Sequence, residues 1–439
     1  MKKIVFISVL IFCFSIKSVI ASNIPGVQTP LPIVSSQPGS SGNCPASYFT
    51  YQQALKEDAP TLADLFDGKA HFQNIAESQI VNLQFDANQI DTGYANGQPS
   101  KLPILFNQTD GKYYAYSRAF SKNPGPDGNK HFNMYLLSST DGVNFTQVAP
   151  IFSQSVIDET GDKLDGHIAI DYLVCPVKYY MALEGGGSMW ASSSTDPFNP
   201  SSWSRPVSVV GYDLAGHKSA STGVFLIDGN NKYTSWTVVD DGPLGMNKDH
   251  DTGGESAYSR AILANNLLSY LGSSGIGTVV LPAEQNTHCN SSWDCNNRDK
   301  QDWKKEGNYY YLIYNGGNYY RCTRFFPKDT APVDWGNGIV RSANPLSGYD
   351  LKGVGKMQQS LNTSICAVSY PVINAVAGEL YMYYAYNNVP YDGGQKSLVA
   401  RSKLVWNSVD IVDILDLRQL LANFTSIFDY NKIVEGFGK

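Results

Sequence analysis

Two acids hold the same place ahead of an aromatic run. Asp171-Tyr172 lies eight residues before Tyr179-Tyr180-Met181, and Asp302-Trp303 eight before Tyr310-Tyr311-Leu312. Near that offset, three sister segments carry Leu105, Phe225 and Val372 instead. An acid where its counterparts are apolar has no packing rationale, because burying a charge without a partner is costly. Two carboxyl groups, one protonated to assist a leaving oxygen and one ionised as base or nucleophile, are what glycoside hydrolysis needs. Neighbouring Tyr and Trp suit sugars, whose apolar ring faces stack on aromatics while their hydroxyls bond to acids. The structural alternative for each Asp is a carboxylate that satisfies backbone amides at a channel mouth.

Further candidates surround this pair. His167, in Asp165-Gly166-His167-Ile168-Ala169-Ile170-Asp171, falls on the same strand face as Asp171 by alternation, which makes it a substrate contact or a hydrogen-bonded structural histidine. Asp91, Glu184 ahead of Gly185-Gly186-Gly187, and Glu255 after Gly253-Gly254 are the other acids available for catalytic roles, each also readable as a solvated loop acid. Trp303, Arg321 and His217 are candidate substrate contacts.

Residues so far apart meet only if a repeated architecture gathers them. Aromatic runs recur at Lys112-Tyr113-Tyr114-Ala115-Tyr116, Lys178-Tyr179-Tyr180-Met181, Lys232-Tyr233-Thr234-Ser235-Trp236, Tyr309-Tyr310-Tyr311-Leu312 and Leu380-Tyr381-Met382-Tyr383-Tyr384. Most follow hairpin signals such as Asp110-Gly111, Gly229-Asn230-Asn231 and Gly307-Asn308, whereas the second follows Cys175-Pro176. A second strand pattern ends in Ser138-Ser139-Thr140-Asp141-Gly142, Ser193-Ser194-Thr195-Asp196-Pro197, Arg341-Ser342-Ala343-Asn344-Pro345 and Ala400-Arg401-Ser402-Lys403. One such unit cannot bury both faces of its sheet. The repeat therefore predicts an all-β, five-bladed β-propeller, with the first strand of each blade lining a central channel and the site at one mouth.

Residues 1–21 have the charged start, apolar run and small-residue end of a secretory signal peptide. Their apolar run is shorter than the roughly 20 residues that span a bilayer. Residues 22–43, rich in Pro, Ser and Gly, read as a flexible linker; 44–406 as the propeller with a short helical N-terminal cap; 407–439 as a C-terminal helical segment. Outside the leader, which contains Cys13, the cysteines are Cys44, Cys175, Cys289, Cys295, Cys322 and Cys366, an even set that favours disulfides in a secreted chain, with about fifteen pairings open. Sequons at Asn107, Asn144, Asn290, Asn362 and Asn423 read as glycosylation sites. The formal net charge of −6, without a basic block, disfavours nucleic acid and anionic lipid as partners. Extracellular location, a carbohydrate partner, no membrane insertion and a monomeric state are the resulting expectations. No organic cofactor or metal is implied, although a structural cation in the channel is compatible with the fold.

The phrases Asp110-Gly111-Lys112-Tyr113-Tyr114, Lys178 to Gly186, Tyr310 to Gly317 and Ser139-Thr140-Asp141-Gly142-Val143-Asn144-Phe145 resemble the five-bladed propeller glycosidases of glycoside hydrolase families 43 and 32 over about residues 78–406. The resemblance implies an inner-strand Asp as base or nucleophile, a second Asp that tunes proton affinity and a Glu that donates the proton. Asp171 and Asp302 fit the inner-strand position, with Asp91, Glu184 and Glu255 for the remaining roles. The family's Asp-Pro start of the first blade has no obvious equivalent here, and its Glu-Gly-Pro acid motif is absent. A propeller without its acids would be a non-catalytic carbohydrate-binding or matrix protein, since fold does not fix function. The turn at Ser139 to Phe145 also approaches the Asp box of six-bladed sialidases, but it has one close copy against five visible repeats.

Overall fold

A computed structural model describes residues 54–74, 77–91, 101–213, 218–240, 256–282, 294, 297–317, 336–350, 368–387 and 397–407. All lie in one compact unit, Cys44–Lys439. The expected leader, linker and C-terminal helix fall outside the described residues, as do Asn290, Asn362 and Asn423.

The described chain is nearly all β. After the short helix α1 (Leu62–Phe66) come β1 (Ala70–Phe72) and β2 (Gln79–Gln84). Then follow five antiparallel meanders in chain order. The first is β3 (Ile104–Asn107), β4 (Lys112–Phe120), β5 (Phe132–Ser139) and β6 (Asn144–Pro150). Helix α2 (Gln154–Thr160) leads to the second, β7 (Leu164–Asp171), β8 (Lys178–Gly185), β9 (Ser188–Ser194) and β10 (Val207–Gly211). The third is β11 (Lys218–Asp228), β12 (Asn231–Asp240) and β13 (Ser256–Ala264); of the two short strands after it, β14 (Gly272–Ser273) adds parallel to β10 of the second meander and β15 (Thr278–Leu281) pairs antiparallel with β13. The fourth is β16 (Asn297–Glu306), β17 (Tyr309–Gly317) and β18 (Gly336–Ser342); the fifth is β19 (Val368–Val376), β20 (Glu379–Asn387) and β21 (Ser397–Trp406).

Strand pairing also joins neighbouring meanders. Strand β2 pairs antiparallel with β21 and parallel with β6, so an early segment ties the last meander to the first. Strands β13 and β16 touch at Ala257 and Asn297. Within the segment between Leu267 and Trp303, the described residues supply β14, β15 and the start of β16, and Leu267 itself is buried.

The aromatic runs became second strands because those strands bury both faces. Tyr116, Tyr179, Trp236, Tyr311 and Tyr383 are essentially inaccessible and fill the spaces between meanders. Such side chains carry the largest apolar areas available to a core. Helix α1 adds Leu62 and Leu65 to one of these clusters. Its N-terminus is closed by Thr61 and Asp64 in a capping box, while Glu306 accepts from the Leu62 and Ala63 amides at 3.2 and 3.0 Å.

The recurring Ser-x-Asp/Asn ending has a shared cause. Ser139, Ser194 and Ser342 each accept, on Oγ, the backbone N–H two residues later, at 3.1, 2.9 and 3.0 Å. Asp141, Asp196 and Asn344 then accept an amide two residues further on. In the first turn Gly142 has φ 69°, and a Cβ there would lie 2.6 Å from Val376, so the close approach of the fifth meander requires glycine. Asp141 accepts from Val143 and Asn144 amides, both at 2.8 Å. Partial burial alone would raise its pKa, but those donors hold it well below the usual carboxylate range. Asp141→Ala is expected to lower stability by about 1–2 kcal/mol in urea unfolding at neutral pH. It should cost less at a pH low enough to protonate Asp141 in the folded protein.

Candidate functional site

The first strands β3, β7, β11, β16 and β19 together line a cavity of about 210 Å³. Its wall includes Leu105, His167, Phe225, Trp303, Lys304 and Asn374. Strands β3, β7, β11 and β19 are sheet edges. Backbone groups on such an edge need partners when they are buried.

Three side chains supply partners. Asp302 Oδ2 accepts from the Ile373 amide at 2.8 Å, and its Oδ1 accepts from the Trp303 amide at 2.9 Å. Asp302 also contacts His167 Nε2 at 2.9 Å and Lys304 Nζ at 3.1 Å. His167 Nδ1 accepts from the Phe225 amide at 3.5 Å, which places the imidazole proton on Nε2, donating to Asp302. Asn374 accepts from the Ile104 amide at 2.9 Å and donates to Leu102 O at 3.1 Å. All five first strands are thus tied through Asp302, His167 and Asn374.

Burial dominates His167, lowering its pKa to about 4 despite the neighbouring carboxylate, so it is neutral at pH 7. For Asp302, burial would raise the pKa, but the Lys304 ammonium, the His167 N–H and the Ile373 amide outweigh it and hold the group well below its usual range.

Asp171 and Asp302 share a sequence offset but not a level in the channel. Asp171 ends β7 opposite Lys178, whereas Asp302 lies inside β16 opposite Ile313. The reason is turn length: residues 172–177 connect β7 to β8, but only 307–308 connect β16 to β17. On β7 the counterpart of Asp302 is His167, which faces Ala182. Asp171 instead forms an ion pair with Lys232 at 2.6 Å. At this hairpin end Asp228 likewise pairs with Lys305 and accepts from Tyr310 Oη.

The opposite end is built by bulges. Register breaks occur between Leu164 and His167, Ser221 and Gly223, Asp299 and Asp302, and Ser369 and Val372. Three bulge residues have left-handed backbones without being glycine: Asp165 (φ 52°), Thr222 (φ 34°) and Tyr370 (φ 58°). Such strain persists only where surrounding contacts hold it, and it concentrates at functional sites.

The holding contacts converge. Glu184 Oε2 accepts from Ser221 Oγ at 2.7 Å, Thr222 N at 3.0 Å and Thr222 Oγ1 at 2.9 Å. Arg118, from β4, pairs with Asp165 at 3.1 Å. Its guanidinium lies 5.0 Å from the Phe132 ring centre and 5.4 Å from that of Tyr370. Burial disfavours the charged guanidinium, but Asp165, Tyr370 and Glu184 together push its pKa above the ordinary value.

Of the sequence candidates, Glu184 therefore lies in the cluster at the bulged end. Asp91 also lies toward that end, its amide bonded to Phe120 O at 3.1 Å and its carboxylate paired with Lys130. His167 and Trp303 line the cavity, Asp302 is buried against His167, and Trp303 donates from Nε1 to Tyr349 Oη at 3.1 Å. Glu255, His217 and Arg321 lie outside the described residues. Sequence reasoning missed Asp165, Arg118, Thr222 and Tyr370. The Asp165-Gly166 pair before an apolar strand was a visible bulge signal, whereas nothing local marks the other three.

No protein-family model and no curated protein matches the sequence. Several solved structures do match in shape. A BT0996 RGII complex aligns with 79% of this protein and 96% of its own length, at 11% identity and TM-score 0.51. A thermostable family-43 glycoside hydrolase aligns over 71% and 90%, at 15% identity and TM-score 0.47. Zg3597, a family 117 glycoside hydrolase produced by the marine bacterium Zobellia galactanivorans, aligns over 76% and 90%, at 10% identity and TM-score 0.46. The protein resembles propeller glycosidases. At these identities the likeness is one of fold, and the resemblance drawn from sequence holds at that level.

The charge state of His167 makes a testable difference. Between pH 6.5 and about 4 the unfolded chain binds a proton there that the folded chain does not, so this residue makes stability fall as pH drops through that window. In His167→Gln, whose amide can donate to Asp302, urea unfolding across the window should show a shallower pH slope, by up to about 1.4 kcal/mol per pH unit. Asp302→Ala, which strips the buried network of its acceptor, should cost about 3–5 kcal/mol at pH 7.

Proposed function

We propose that the protein is a secreted glycoside hydrolase on a five-bladed β-propeller, each meander being one blade, and that it cleaves oligo- or polysaccharide at the bulged end of the channel. The observation that carries this reading is the convergence of Glu184, Asp165 and Arg118 where three strained bulges meet. Building such strain into three different strands is hard to explain by stability alone.

Glu184 serves as one of the two carboxyl groups that hydrolysis requires, with the Asp165–Arg118 pair fixed beside it. Asp91 and Glu255 are the candidates for the second. Near the same end the half-buried Phe120, its ring centre 3.6 Å from that of the buried Phe132, is the aromatic available to a sugar ring. In this reading Asp302, fully enclosed, and Asp171, bound to Lys232, hold the channel rather than touch substrate. His167 does the same, while His217 and Arg321 remain candidate contacts. The protein acts as a monomer and requires no cofactor.

Secretion rests on the leader-like sequence and gains support from Cys175, which is disulfide-bonded; the other cysteines of the mature chain lie outside the described residues. Among the described residues no helix is long and apolar enough to cross a membrane.

The test is sugar release from plant, fungal and animal glycans by the wild type and by Glu184→Gln, Asp165→Asn, Asp171→Asn and Asp302→Asn, each checked for melting temperature. Glu184→Gln, whose amide oxygen keeps an acceptor for Ser221 and Thr222, should lower release by about 10²–10⁴-fold while melting falls by only a few degrees. Asp171→Asn should leave kcat within a few-fold. Glycan binding without release by any form would favour the non-catalytic carbohydrate-binding reading.

A further inference from the structure

The cavity among the first strands extends to the hairpin end, away from the cluster around Glu184. Its wall includes Phe106, Ile227, Lys305 and Ala375, each the last residue but one of its strand, and Tyr172, just past the end of β7. One wall residue belongs to no meander: Ala54, from the chain ahead of α1. Two residues on, that chain is fixed to the fifth meander. The Lys56 amide donates to Gly378 O at 2.9 Å, and the Lys56 ammonium pairs with Glu379 at 3.0 Å. The chain therefore meets the cavity from the side of the fifth hairpin.

A second fixed point lies on another side of the mouth. Cys175, in the turn 172–177 that follows β7, is exposed and disulfide-bonded. Its partner is one of Cys44, Cys289, Cys295, Cys322 and Cys366, and reach separates them. First strands run from the bulged end to the hairpin end, so Val368 at the start of β19, and with it Cys366 two residues earlier, lies about 25 Å from the hairpins. Cys295 adjoins Asp294, which accepts from Arg298 near the start of β16. Cys289 comes five residues before that anchor, and Cys322 five after Gly317, the bulged-end residue of β17. Five residues extend about 18 Å at most, which with the roughly 7 Å between bridged Cα atoms does not span both the strand length and the step from the fourth meander to the second.

Cys44 is placed differently. It stands ten residues before Ala54, which shares the cavity wall with Tyr172, and ten residues reach about 34 Å. Residues 45–53 carry no charge and include Tyr48, Phe49 and Tyr51. Such a segment can lie against the ends of the first strands without stranding a charge, and the ions already at that mouth are paired as Asp171–Lys232 and Asp228–Lys305.

We propose that Cys44 is bonded to Cys175, and that residues 45–53 cross the hairpin-end mouth from the second meander to the fifth and cover the cavity. The cavity is then a seat for the protein's own chain, and the bulged end is where the channel meets other molecules, whether or not hydrolysis occurs there. Forming the bond takes two protons and two electrons from the two thiols; a disulfide of an oxidising compartment accepts them and becomes two thiols.

The pairing is read on the wild type. Monomeric protein, alkylated and digested with trypsin without reduction, should yield peptide 164–178 linked to the peptide that ends at Lys56, and reduction should split the two. Cys175 recovered alkylated, joined to any other cysteine, or joined to Cys44 only in disulfide-linked dimers would overturn the proposal.

The covering role has its own readout. Hydroxyl-radical footprinting compares the wild type with the double variant Cys44→Ser, Cys175→Ser. Phe106 and Trp303 line the cavity on meanders that the bond does not touch, and their oxidation should rise several-fold in the variant while the exposed Tyr270 keeps its rate. If the variant does not fold, reduction of the exposed Cys175 bond in the native protein by a small phosphine gives the same comparison. Unchanged oxidation at Phe106 and Trp303 would overturn the covering role even with the pairing found. A matching rise at Tyr270 would mark general loosening and overturn it as well.

Discussion

The free edges of the first strands set the terms for the rest of this structure. Several antiparallel meanders arranged about one cavity leave a ring of strand edges facing inward, each with amides and carbonyls that no neighbouring strand can satisfy. Apolar side chains cannot meet that need, however well they pack. Asp302, His167 and Asn374 meet it by crossing from one first strand to the next, reaching the amides of Ile373, Phe225 and Ile104. Each is buried, and Asp302 and His167 satisfy each other as well. Their polarity therefore answers to the geometry of the channel, and the aromatic clusters between meanders can be as apolar as they are because these residues carry the polar work.

That constraint also accounts for the separation of tasks along the channel. The middle is closed by cross-strand bonds, and the hairpin end by acid–lysine pairs such as Asp171–Lys232 and Asp228–Lys305. Pairs of this kind fix strand ends to the next meander without asking the core for polar partners. At the bulged end the first strands depart from regular pairing, and there the ladder is traded for strained residues and a cluster of acid, arginine and hydroxyl groups. A site placed at that end can alter its chemistry without disturbing the cross-strand network that holds the channel.

Much of the fold was legible because its signals are local. The aromatic second strands, the hairpin turns and the Ser-x-Asp endings are written in consecutive residues, and they reappear as β4, β8, β12, β17 and β20 and as the turns at Ser139, Ser194 and Ser342. Strand β2 was invisible to that reading because it belongs to no repeat: its task is to join β21 to β6, which is a property of closure. The same limit applied to the site. Counting eight residues back from an aromatic run finds equal positions only if the intervening turns are equal, and the turn after Asp171 is longer than the turn after Asp302.

The misplacement of Asp171 points to a general property of channel folds. Strand register fixes which side chains share a level, whereas sequence offset measures the path around a turn, and the two coincide only when every hairpin has one length. Here register aligns His167 with Asp302, an imidazole with a carboxylate, and the two complement each other across β11. An acid at both places would have set two negative charges in one dry channel, which burial does not tolerate without added cations. The asymmetry between the repeats is therefore required: a ring of similar strands can be bridged through its centre only where their side chains differ.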